Sequence, residues 1–414
     1  MRKQLLVIGW VWPEPNSSAA GSRMLQLLET FLSGGYQICF ATAAKPNAFS
    51  RQLPGIQYRS ITLNDPSFNT FLQEIKPDIV LYDRFMSEEQ FGWRVSLECP
   101  DALTILDTED LHLLRDARQS AVIDQAPVNV YTPLSKREVA SILRCDLSLM
   151  ISQAEIKLLQ ETFKVPLELL WYIPFMEDPL DILKLERRKS YTSRKHFVFI
   201  GNYLHFPNVD AVEQLSKTIW PGIRQALPGV ELHIYGAYIT PRIQQLHKPA
   251  SGFMIKGRAE DARTTLSDYR ALLAPLRFGA GLKGKFIDAI HAGTPSLTTP
   301  VGAEGIGPGD QWAGEVCPDA QTMVGQAVRL YQDADAWEDA RRRGLYLNNT
   351  FFNKSRHRDV FLKKVQDLQA TLPMHRKQHF IGEIMRMDTI NSKKYMSLWI
   401  QEKNKPKHTD EEGN

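Results

Sequence analysis

The chain has 414 residues, enough for two or three domains at roughly 150 residues each, which excludes a small fold held together by disulfides. Hydrophobic residues make up 43% and charged residues 23%, ordinary globular proportions that exclude global disorder and a multispan membrane protein. Fifty Lys and Arg against 47 Asp and Glu give a net charge of +3, too near balance to suggest a nucleic-acid partner.

The two halves of the chain differ in charge. Residues 1–180 carry 16 basic and 22 acidic side chains, a balance of −6, whereas residues 181–414 carry 34 and 25, a balance of +9. Two domains with different surfaces would explain this difference, and so would an anion such as a nucleotide diphosphate held by the second half. Charge alone leaves both explanations open.

Cysteine usage and the N-terminal residues indicate where the protein resides. The cysteines at positions 39, 99, 145 and 317 form no C-x-x-C pair and no cluster with histidines at metal-ligand spacing, which predicts a reducing cytoplasm and no structural zinc. The apolar run that ends near Trp12 is short and lacks a small-residue cleavage site, so we expect a buried strand rather than a signal peptide. No apolar stretch reaches the roughly 18 to 20 residues of a membrane span.

In the first half, apolar runs of strand length alternate with segments of helical period, a pattern typical of a parallel sheet with crossover helices. Strands are predicted over residues 5–11, 36–41, 77–83, 102–106 and 147–151, with a helix over 22–32. Asp83, Asp107 and Ser152 lie at the ends of three of these strands. Because open α/β sheets bind ligands at the carboxyl ends of their strands, these polar residues are expected near a site.

The alternation stops between residues 174 and 195, where the chain becomes charged, and then starts again. We therefore predict a first domain over residues 1–180, a linker over 181–196 and a second doubly wound domain over 197–350. Strands of the second domain are predicted at residues 197–200, 231–235, 253–256, 271–276 and 296–299, with a helix from 208 to about 220. Amphipathic helices are predicted over 322–370, C-terminal helices over 351–400, and a disordered tail over 401–414.

The segment from Leu276 to Ala289 follows a predicted buried strand and begins a helix. It contains three glycines and three cations within nine residues: Gly279, Gly281 and Gly284, and Arg277, Lys283 and Lys285. Glycines allow a ligand to approach the backbone closely, and a helix start presents unpaired N–H groups, so the segment predicts an anion site. A solvated basic helix start is the alternative.

Two motif patterns match this segment only in part. The spacing Gly-x-Gly-x-x-Gly fits a dinucleotide fingerprint, but no acidic residue follows about 20 positions later at a strand end. The spacing also approaches a P-loop, but Phe286 stands where a Ser or Thr would hold magnesium. Both mismatches disfavour an NAD-dependent oxidoreductase and a P-loop ATPase.

Together with further segments in the same order, this one resembles the donor-binding domain of GT-B glycosyltransferases, above all family 4, the glycosyl transferases group 1. The further segments are Phe197–Asn202, His205–Ala211, Leu232–Gly236, Ala292–Pro295 and Thr299–Gly305. The resemblance covers about residues 197–345 and is weaker over 1–175. It implies an α/β protein of the GT-B fold, with two Rossmann-like domains facing each other across a cleft and C-terminal helices.

The resemblance also implies donor-binding residues. Lys283 and Lys285 are expected to hold a diphosphate together with Arg277, near Gly281. The strand end at Gly201 and Asn202 is expected near the same phosphates, although many members of the family have an Arg after this glycine. Glu304 lies in the stretch by which family members hold the donor sugar or phosphate.

One departure from the family pattern concerns its pair of acidic residues, Glu-x7-Glu. Ala280 and Asp288 occupy these positions, so the first carboxylate is absent and the second is one carbon shorter. We carry over only Asp288, as an acceptor for a ribose hydroxyl. An acidic residue on a helix face remains the alternative for Asp288.

In the first half, Asn16–Arg23 resembles the first glycine loop of the family, here with Gly21 and Ser22; a plain strand-to-helix loop capped by Ser22 is the alternative. His112 is expected to line the cleft beside the sugar, with Asp107 orienting it or contacting the acceptor. Helix capping would also explain these acidic residues. Ser152–Glu155 resembles a Ser-x-x-Glu segment of the family and is favoured as a capping box.

The expected activity is transfer of a hexosyl group from a nucleotide-sugar to a glycan or lipid-linked acceptor, in the cytoplasm and with retention of configuration. No metal or other cofactor is expected, since fixed cations can stabilise the leaving group. We expect no nucleic-acid partner. For Arg341–Trp399 a solvated helical face is favoured, and a weak peripheral contact with the inner face of the membrane is the alternative. Open alternatives are a non-catalytic nucleotide- or glycan-binding module of the same fold, an epimerase or a phosphorylase.

Overall fold

A computed structural model describes residues 3–183, 188–308 and 311–403, without the side chains of residues 390–393. The first half of this part forms a seven-stranded sheet. Its strands are β1 (Gln4–Gly9), β2 (Gln37–Thr42), β3 (Ile56–Ser60), β4 (Ile79–Asp83), β5 (Leu103–Asp107), β6 (Leu147–Met150) and β7 (Leu170–Tyr172). The helices that connect them are α1 (Ala19–Ser33), α2 (Ser67–Ile75), α3 (Arg84–Glu98), α4 (His112–Asp124), α5 (Pro133–Arg144) and α6 (Gln153–Phe163).

The second half forms a six-stranded sheet. Its strands are β8 (Lys195–Asn202), β9 (Leu232–Ala237), β10 (Phe253–Gly257), β11 (Tyr269–Ala274), β12 (Ser296–Thr298) and β13 (Gly314–Val316). The helices here are α7 (Phe206–Gln214), α8 (Trp220–Ala226), α9 (Pro241–Gln244), α10 (Ala262–Leu266), α11 (Gly284–Ala292) and α12 (Pro300–Ala303). A π-helical turn, Leu215–Ile219, joins α7 to α8 and breaks the single helix predicted there.

Both sheets follow the same doubly wound order. The first runs β3-β2-β1-β4-β5-β6-β7 and the second β10-β9-β8-β11-β12-β13, with neighbouring strands paired in parallel. The strand order therefore reverses beside β1 in one sheet and beside β8 in the other. These reversals open crevices at the carboxyl ends of the strands, where such sheets bind ligands.

The first sheet is buried on both faces, which explains its continuous apolar runs. Leu6 and Ile8 of β1 belong to one apolar cluster, whereas Leu5 and Val7 belong to the cluster on the opposite face. This alternation follows from the two-residue period of a strand, and burial on both faces is typical of parallel sheets. The second sheet is the centre of a separate large core.

The C-terminal helices return to the first half of the chain. They are α13 (Ala320–Gln332), α14 (Ala334–Phe351), α15 (Lys354–Gln378) and α16 (Phe380–Lys403). Phe361 and Val365 of α15 complete the apolar cluster on one face of the first sheet. Arg376 and Arg386 bind the buried carboxylate of Asp146, at 2.9 and 2.7 Å. The last two helices are thus anchored to the first sheet by both apolar packing and ion pairs.

Most predicted elements are present, with shifted ends. The strands β3, β7 and β13 were not predicted, because β3 is an exposed edge strand and the other two are three residues long.

Within the predicted linker, Tyr191–Ser193 forms a 3₁₀ turn and β8 begins at Lys195, while residues 184–187 lie outside the described part. Helix α16 extends to Lys403, so the predicted disordered tail begins with helical residues, and 404–414 lie outside the described part. None of the described helices is long and apolar enough to cross a membrane.

Candidate active site

A cleft of about 580 Å³ lies between the carboxyl ends of the two sheets. Its walls are formed by residues 15–20, 109–110, 258–259 and 261–263 and by most of residues 276–288, together with side chains that include Arg84, His112 and Asn202. Ligand pockets in proteins are commonly of about 300 to 1,000 Å³, so the cleft has room for a substrate of nucleotide-sugar size. Both halves of the chain contribute to its lining.

The glycine loop, residues 279–284, connects β11 to α11 and approaches the first half closely. Gly281 has φ of 59°, and a Cβ there would lie 2.7 Å from Cβ of Asp110. A Cβ on Gly284 would lie 2.6 Å from Cβ of Ala19. These two positions therefore require glycine, because a larger residue would push the two halves apart.

Lys283 and Lys285, predicted as phosphate ligands, both line the cleft. The Nζ of Lys285 donates to Oδ1 of Asn208 at 2.7 Å and lies 4.2 Å from the centre of the Phe199 ring. The Nζ of Lys283 donates to the carbonyl oxygen of Gly281 at 2.9 Å. Among the described residues, neither ammonium group has a carboxylate within ion-pair distance. Two unpaired cations at a helix start form a site suited to an anion.

Burial perturbs both lysines. Desolvation lowers the pKa of Lys283 to about 8 and the pKa of Lys285 to about 7. A buried ammonium group without a counter-ion is disfavoured relative to the neutral amine, and this is the cause of both shifts. An anion bound in the cleft would supply the missing counter-charge.

Arg277 and Glu304, also predicted as donor-binding residues, have protein partners instead. The guanidinium group of Arg277 pairs with the carboxylate of Asp210, and its side chain does not line the cleft. Both oxygens of Glu304 accept hydrogen bonds from Arg118, at 2.7 and 2.8 Å, and Arg118 also donates to the carbonyl oxygen of Gly279. The Arg118–Glu304 pair therefore joins α4 of the first half to the second half.

Asp288, Gly201 and Asn202 lie where the predictions require them, in the lining of the cleft. The Oδ1 atom of Asp288 accepts a hydrogen bond from Nε of Arg263 at 2.9 Å. Burial raises the pKa of Asp288, and Arg263 opposes this shift. Asn202 ends β8, and its side-chain oxygen accepts from the backbone N–H of Leu204. Arg263 binds only Oδ1 of Asp288, so Oδ2 can still accept a hydrogen bond from a hydroxyl group.

His112, at the start of α4, lines the cleft, but the carboxylate beside it is not Asp107. The structure places Oδ1 of Asp110 3.5 Å from Nε2 of His112. Asp107 is fully buried at the end of β5, where its Oδ1 accepts from Nε of Arg23 at 3.0 Å. Desolvation lowers the pKa of His112 to about 4, so its imidazole is neutral at pH 7.

The N-terminal loop resembling the family's first glycine loop leads into α1. Ser18, rather than Ser22, caps this helix, since its Oγ accepts from the N–H of Gly21 at 3.1 Å. Ser22 lines the cleft and donates to the carbonyl oxygen of Pro15 at 3.3 Å. A Cβ on Gly21 would meet the backbone of Glu14 at 2.5 Å, so glycine is needed for this turn. The alternative of Ser22 as the N-cap is therefore wrong.

The capping box predicted at Ser152–Glu155 is also wrong. Ser152 accepts from the N–H of Ala154, but Glu155 does not reach back to its own helix. Its Oε1 atom accepts from the N–H of Leu111 at 2.9 Å and from the N–H of Gly281 at 2.8 Å. Burial raises the pKa of Glu155 to about 7. This carboxyl group thus joins the two halves beside the glycine loop.

Two residues that sequence reasoning missed line the side of the cleft formed by the first half. Arg84 and Glu109 follow the ends of β4 and β5 and have φ of 68° and 62°, unusual values for residues other than glycine. Burial raises the pKa of Glu109 well above its usual value, and the nearby carboxylate of Asp107 raises it further. The Oε1 atom of Glu109 has no hydrogen-bond partner among the described residues. Strained backbone of this kind concentrates at functional sites, but it leaves no signal in the sequence.

The rim of the cleft is closed by contacts between the N-terminal loop and the second half. Tyr238 donates to Glu14 at 2.8 Å, and Nη2 of Arg258 donates to Oγ of Ser17 at 2.6 Å. Asn16 donates to the carbonyl oxygen of Glu260 at 3.2 Å. The two halves therefore meet both at the glycine loop and at the opposite rim.

Comparison with known proteins agrees with this geometry. Residues 194–333 match the family model described as glycosyl transferases group 1, which confirms the predicted resemblance over that range. No curated protein sequence matches the chain.

Solved structures resemble the whole fold. Sucrose-phosphate synthase (tll1590) from Thermosynechococcus elongatus aligns with a TM-score of 0.69 at 15% identity, over 89% of this chain and 100% of that chain. Anabaena Alr3699/HepE, solved in complex with UDP and glucose, aligns with a TM-score of 0.64 at 12% identity, over 88% and 100%. WaaG, a glycosyltransferase involved in lipopolysaccharide biosynthesis, aligns with a TM-score of 0.60 at 13% identity, over 86% and 98%. These alignments confirm the GT-B fold.

Proposed function

We propose that this GT-B protein, whose residues 194–333 match glycosyl transferases group 1, transfers a hexosyl group from a nucleotide-diphosphate sugar to a glycan or lipid-linked acceptor. The observation that carries the proposal is the pair of half-buried cations Lys283 and Lys285 at the start of α11, which have no carboxylate partner among the described residues. Alr3699/HepE, a protein of the same fold, was solved with UDP-glucose, which supports a nucleotide-sugar in this cleft.

The proposed chemistry requires stabilisation of a leaving group. When the bond between the anomeric carbon and the phosphate oxygen breaks, its electron pair goes to that oxygen and negative charge develops on the nucleoside diphosphate. The acceptor's hydroxyl oxygen bonds to the anomeric carbon, and its proton passes to the released diphosphate. Lys283 and Lys285, with the N–H groups at the start of α11, would stabilise that charge without a metal ion. The neutral imidazole of His112 would accept a hydrogen bond from a sugar hydroxyl. Retention of configuration is part of the proposal and is tested by the coupling constant of the product's anomeric proton.

A non-catalytic nucleotide-binding module is the second candidate. It is favoured by Ala280, which occupies the place of the first family acid, and by Arg118, which holds both oxygens of Glu304. The two candidates differ in one measurable property, since an enzyme slowly hydrolyses its nucleotide-sugar in water and a binding module does not.

Thermal unfolding in the presence of UDP, GDP, ADP, CMP and NAD tests the proposal. We expect one nucleoside diphosphate to raise the unfolding temperature, because a ligand that binds only the folded state stabilises it. The double variant Lys283→Ala, Lys285→Ala should abolish that shift. Arg277→Ala is the matched control, because Arg277 belongs to the same segment but pairs with Asp210. No stabilisation by any nucleoside diphosphate would refute the proposal.

A peripheral location at the inner face of the membrane is a further part of the proposal. Helix α16 exposes several large apolar side chains, including Phe380, Ile381 and Trp399, each at least 59% exposed. Apolar side chains on a helix near lysines favour contact with anionic lipid. Sedimentation with vesicles containing phosphatidylglycerol tests this, and a Phe380→Ser, Trp399→Ser variant should remain in the supernatant if the contact is made by α16.

A further inference from the structure

One oxygen atom of Glu155 bridges the two halves of the chain. Its Oε1 accepts from the N–H of Leu111, which immediately precedes α4 of the first half, and from the N–H of Gly281, in the glycine loop of the second half. The side chain is fully buried. Its other oxygen, Oε2, has no hydrogen-bond partner among the described residues.

The carboxyl group is not needed by its own helix. Ser152 already supplies the cap of α6, and the side chain of Glu155 is directed away from that helix toward Leu111 and Gly281. Burying a carboxyl group is costly unless it is hydrogen-bonded. Here one hydrogen bond holds the N–H of Leu111 within the first half, and the other crosses to Gly281 of the second half. Without Glu155, two buried backbone N–H groups would lose their acceptor.

The two groups that Glu155 joins belong to opposite sides of the proposed reaction. Gly281 is two residues from Lys283, whose Nζ donates to the carbonyl oxygen of Gly281, so the N–H and the C=O of this residue are both hydrogen-bonded. Leu111 is followed by His112, which lines the acceptor side. The relative position of the phosphate-binding lysines and His112 therefore depends partly on this oxygen atom; Arg118 of α4 makes a second contact with the glycine loop, through the carbonyl oxygen of Gly279.

We propose that Glu155 is a positioning residue: through Oε1 it fixes the glycine loop of the donor side against the start of the His112 helix. This inference rests on the proposed function for its catalytic consequence, but not for the contact itself. Loss of the acceptor should let the loop move away from α4. Nucleotide binding should change little, since Lys283 and Lys285 both belong to the second half. Turnover should fall, because it requires the groups of both halves to be correctly placed relative to each other.

Two variants separate hydrogen bonding from charge. Glu155→Gln keeps an oxygen that can accept both N–H groups, and Glu155→Ala removes it. For Glu155→Ala we expect kcat to fall roughly 10- to 100-fold, the scale of a misplacement of about 1 Å, with the Kd for the nucleotide within about threefold of the wild-type value. Glu155→Gln should restore kcat to within about threefold of the wild-type value.

Hydrogen exchange of the backbone amides tests the contact without any assay of activity. In Glu155→Ala, exchange should accelerate in peptides covering 108–114 and 276–284, and in Glu155→Gln it should not. Asp319→Ala is the destabilised control, because it removes the N-cap of α13, and the carboxylate of Asp319 accepts from Thr322 of that helix rather than from either segment. It should lower the unfolding temperature without changing kcat or exchange in either segment.

The outcomes distinguish this inference from the proposed function. Unchanged exchange in Glu155→Ala, or a Glu155→Gln variant as defective as Glu155→Ala, would overturn the positioning role whatever the enzyme does. Accelerated exchange with unchanged kcat would also overturn it, because the contact would then be only structural. If the wild-type protein turns over no nucleotide-sugar, the proposed function fails, and the exchange experiment still decides whether Glu155 holds the loop.

Discussion

The affinity for a nucleotide-sugar should fall steeply as the pH rises above neutrality. In the free protein, burial lowers the pKa of Lys285 to about 7 and the pKa of Lys283 to about 8, so both lose their charge between neutral and mildly alkaline pH. A bound diphosphate favours the charged forms and raises both pKa values. Binding above pH 7 must therefore take up protons, and each proton taken up weakens the apparent affinity tenfold per pH unit.

The size of the effect follows from these values. Between about pH 6.5 and 8.5, titration of Lys285 weakens the apparent affinity about 25-fold and titration of Lys283 about fourfold, if both are fully charged in the complex. Together the two lysines give about a 100-fold loss of affinity, or close to 3 kcal/mol. The carboxyl group of Glu155, near Lys283, becomes negative over the same pH range. Its charge repels the diphosphate and so also weakens binding as the pH rises. His112 and His205 contribute little, because burial lowers the pKa of each below its usual value.

Calorimetric titration across this pH range, in two buffers with different ionisation enthalpies, measures both the affinity and the number of protons taken up. A nucleotide-sugar is the proper ligand, because its phosphates are diesters and carry constant charge. In Lys285→Arg the guanidinium group stays charged at every pH used, so the loss of affinity should shrink to about fourfold. An affinity independent of pH, or the same slope in Lys285→Arg as in the wild type, would refute the assignment of these lysines.

Three further predictions concern other parts of the site and fold. His112→Gln should lower kcat roughly 100-fold while the nucleotide Kd stays unchanged, as measured by steady-state kinetics and calorimetry, because His112 lies on the acceptor side. Gly281→Ala should lower kcat by at least about tenfold in the same kinetic assay, because its φ is positive and a Cβ would lie 2.7 Å from Asp110. Asp146→Asn should lower the free energy of unfolding by about 3 to 5 kcal/mol in urea titrations, because two arginines of the C-terminal helices lose a buried partner.

The sequence predicted the fold well where a strand is buried on both faces. Such strands form continuous apolar runs, as in β1 and β4, and each run ends where the chain leaves the sheet. The edge strand β3 (Ile56–Ser60) was missed because three of its five residues are exposed and its sequence has no apolar run. The return of α15 and α16 to the first sheet could not be predicted either, since helix period does not reveal which surface a helix covers.

The candidate site was predictable where the signal is local. Lys283 and Lys285 lie in the cleft because nearby glycines and a helix start place them there. Arg277 belongs to the same segment, but its side chain binds Asp210, 67 residues away in the sequence. Likewise, Asp107 was expected beside His112, and Arg23 holds it instead. Ion pairs between distant segments depend on the packed fold, and no spacing in the sequence indicates them.

Glu304 shows how contacts between the two halves bear on donor binding. The resemblance implies a role for its carboxylate at the donor, yet both oxygens bind Arg118 from the opposite half. A partly exposed ion pair of this kind contributes about 1 kcal/mol, whereas each charge-assisted hydrogen bond to a phosphate contributes about 1.5 to 3 kcal/mol. Hydrogen bonds that Arg118 and Glu304 themselves make to a donor can therefore offset the separation of this pair, whereas the contacts of Lys283 and Lys285 are available whether or not it separates. Glu304 would then be free to bind the sugar and Arg118 to bind a phosphate oxygen, so the same two residues can join the halves before donor binding and hold the donor afterwards.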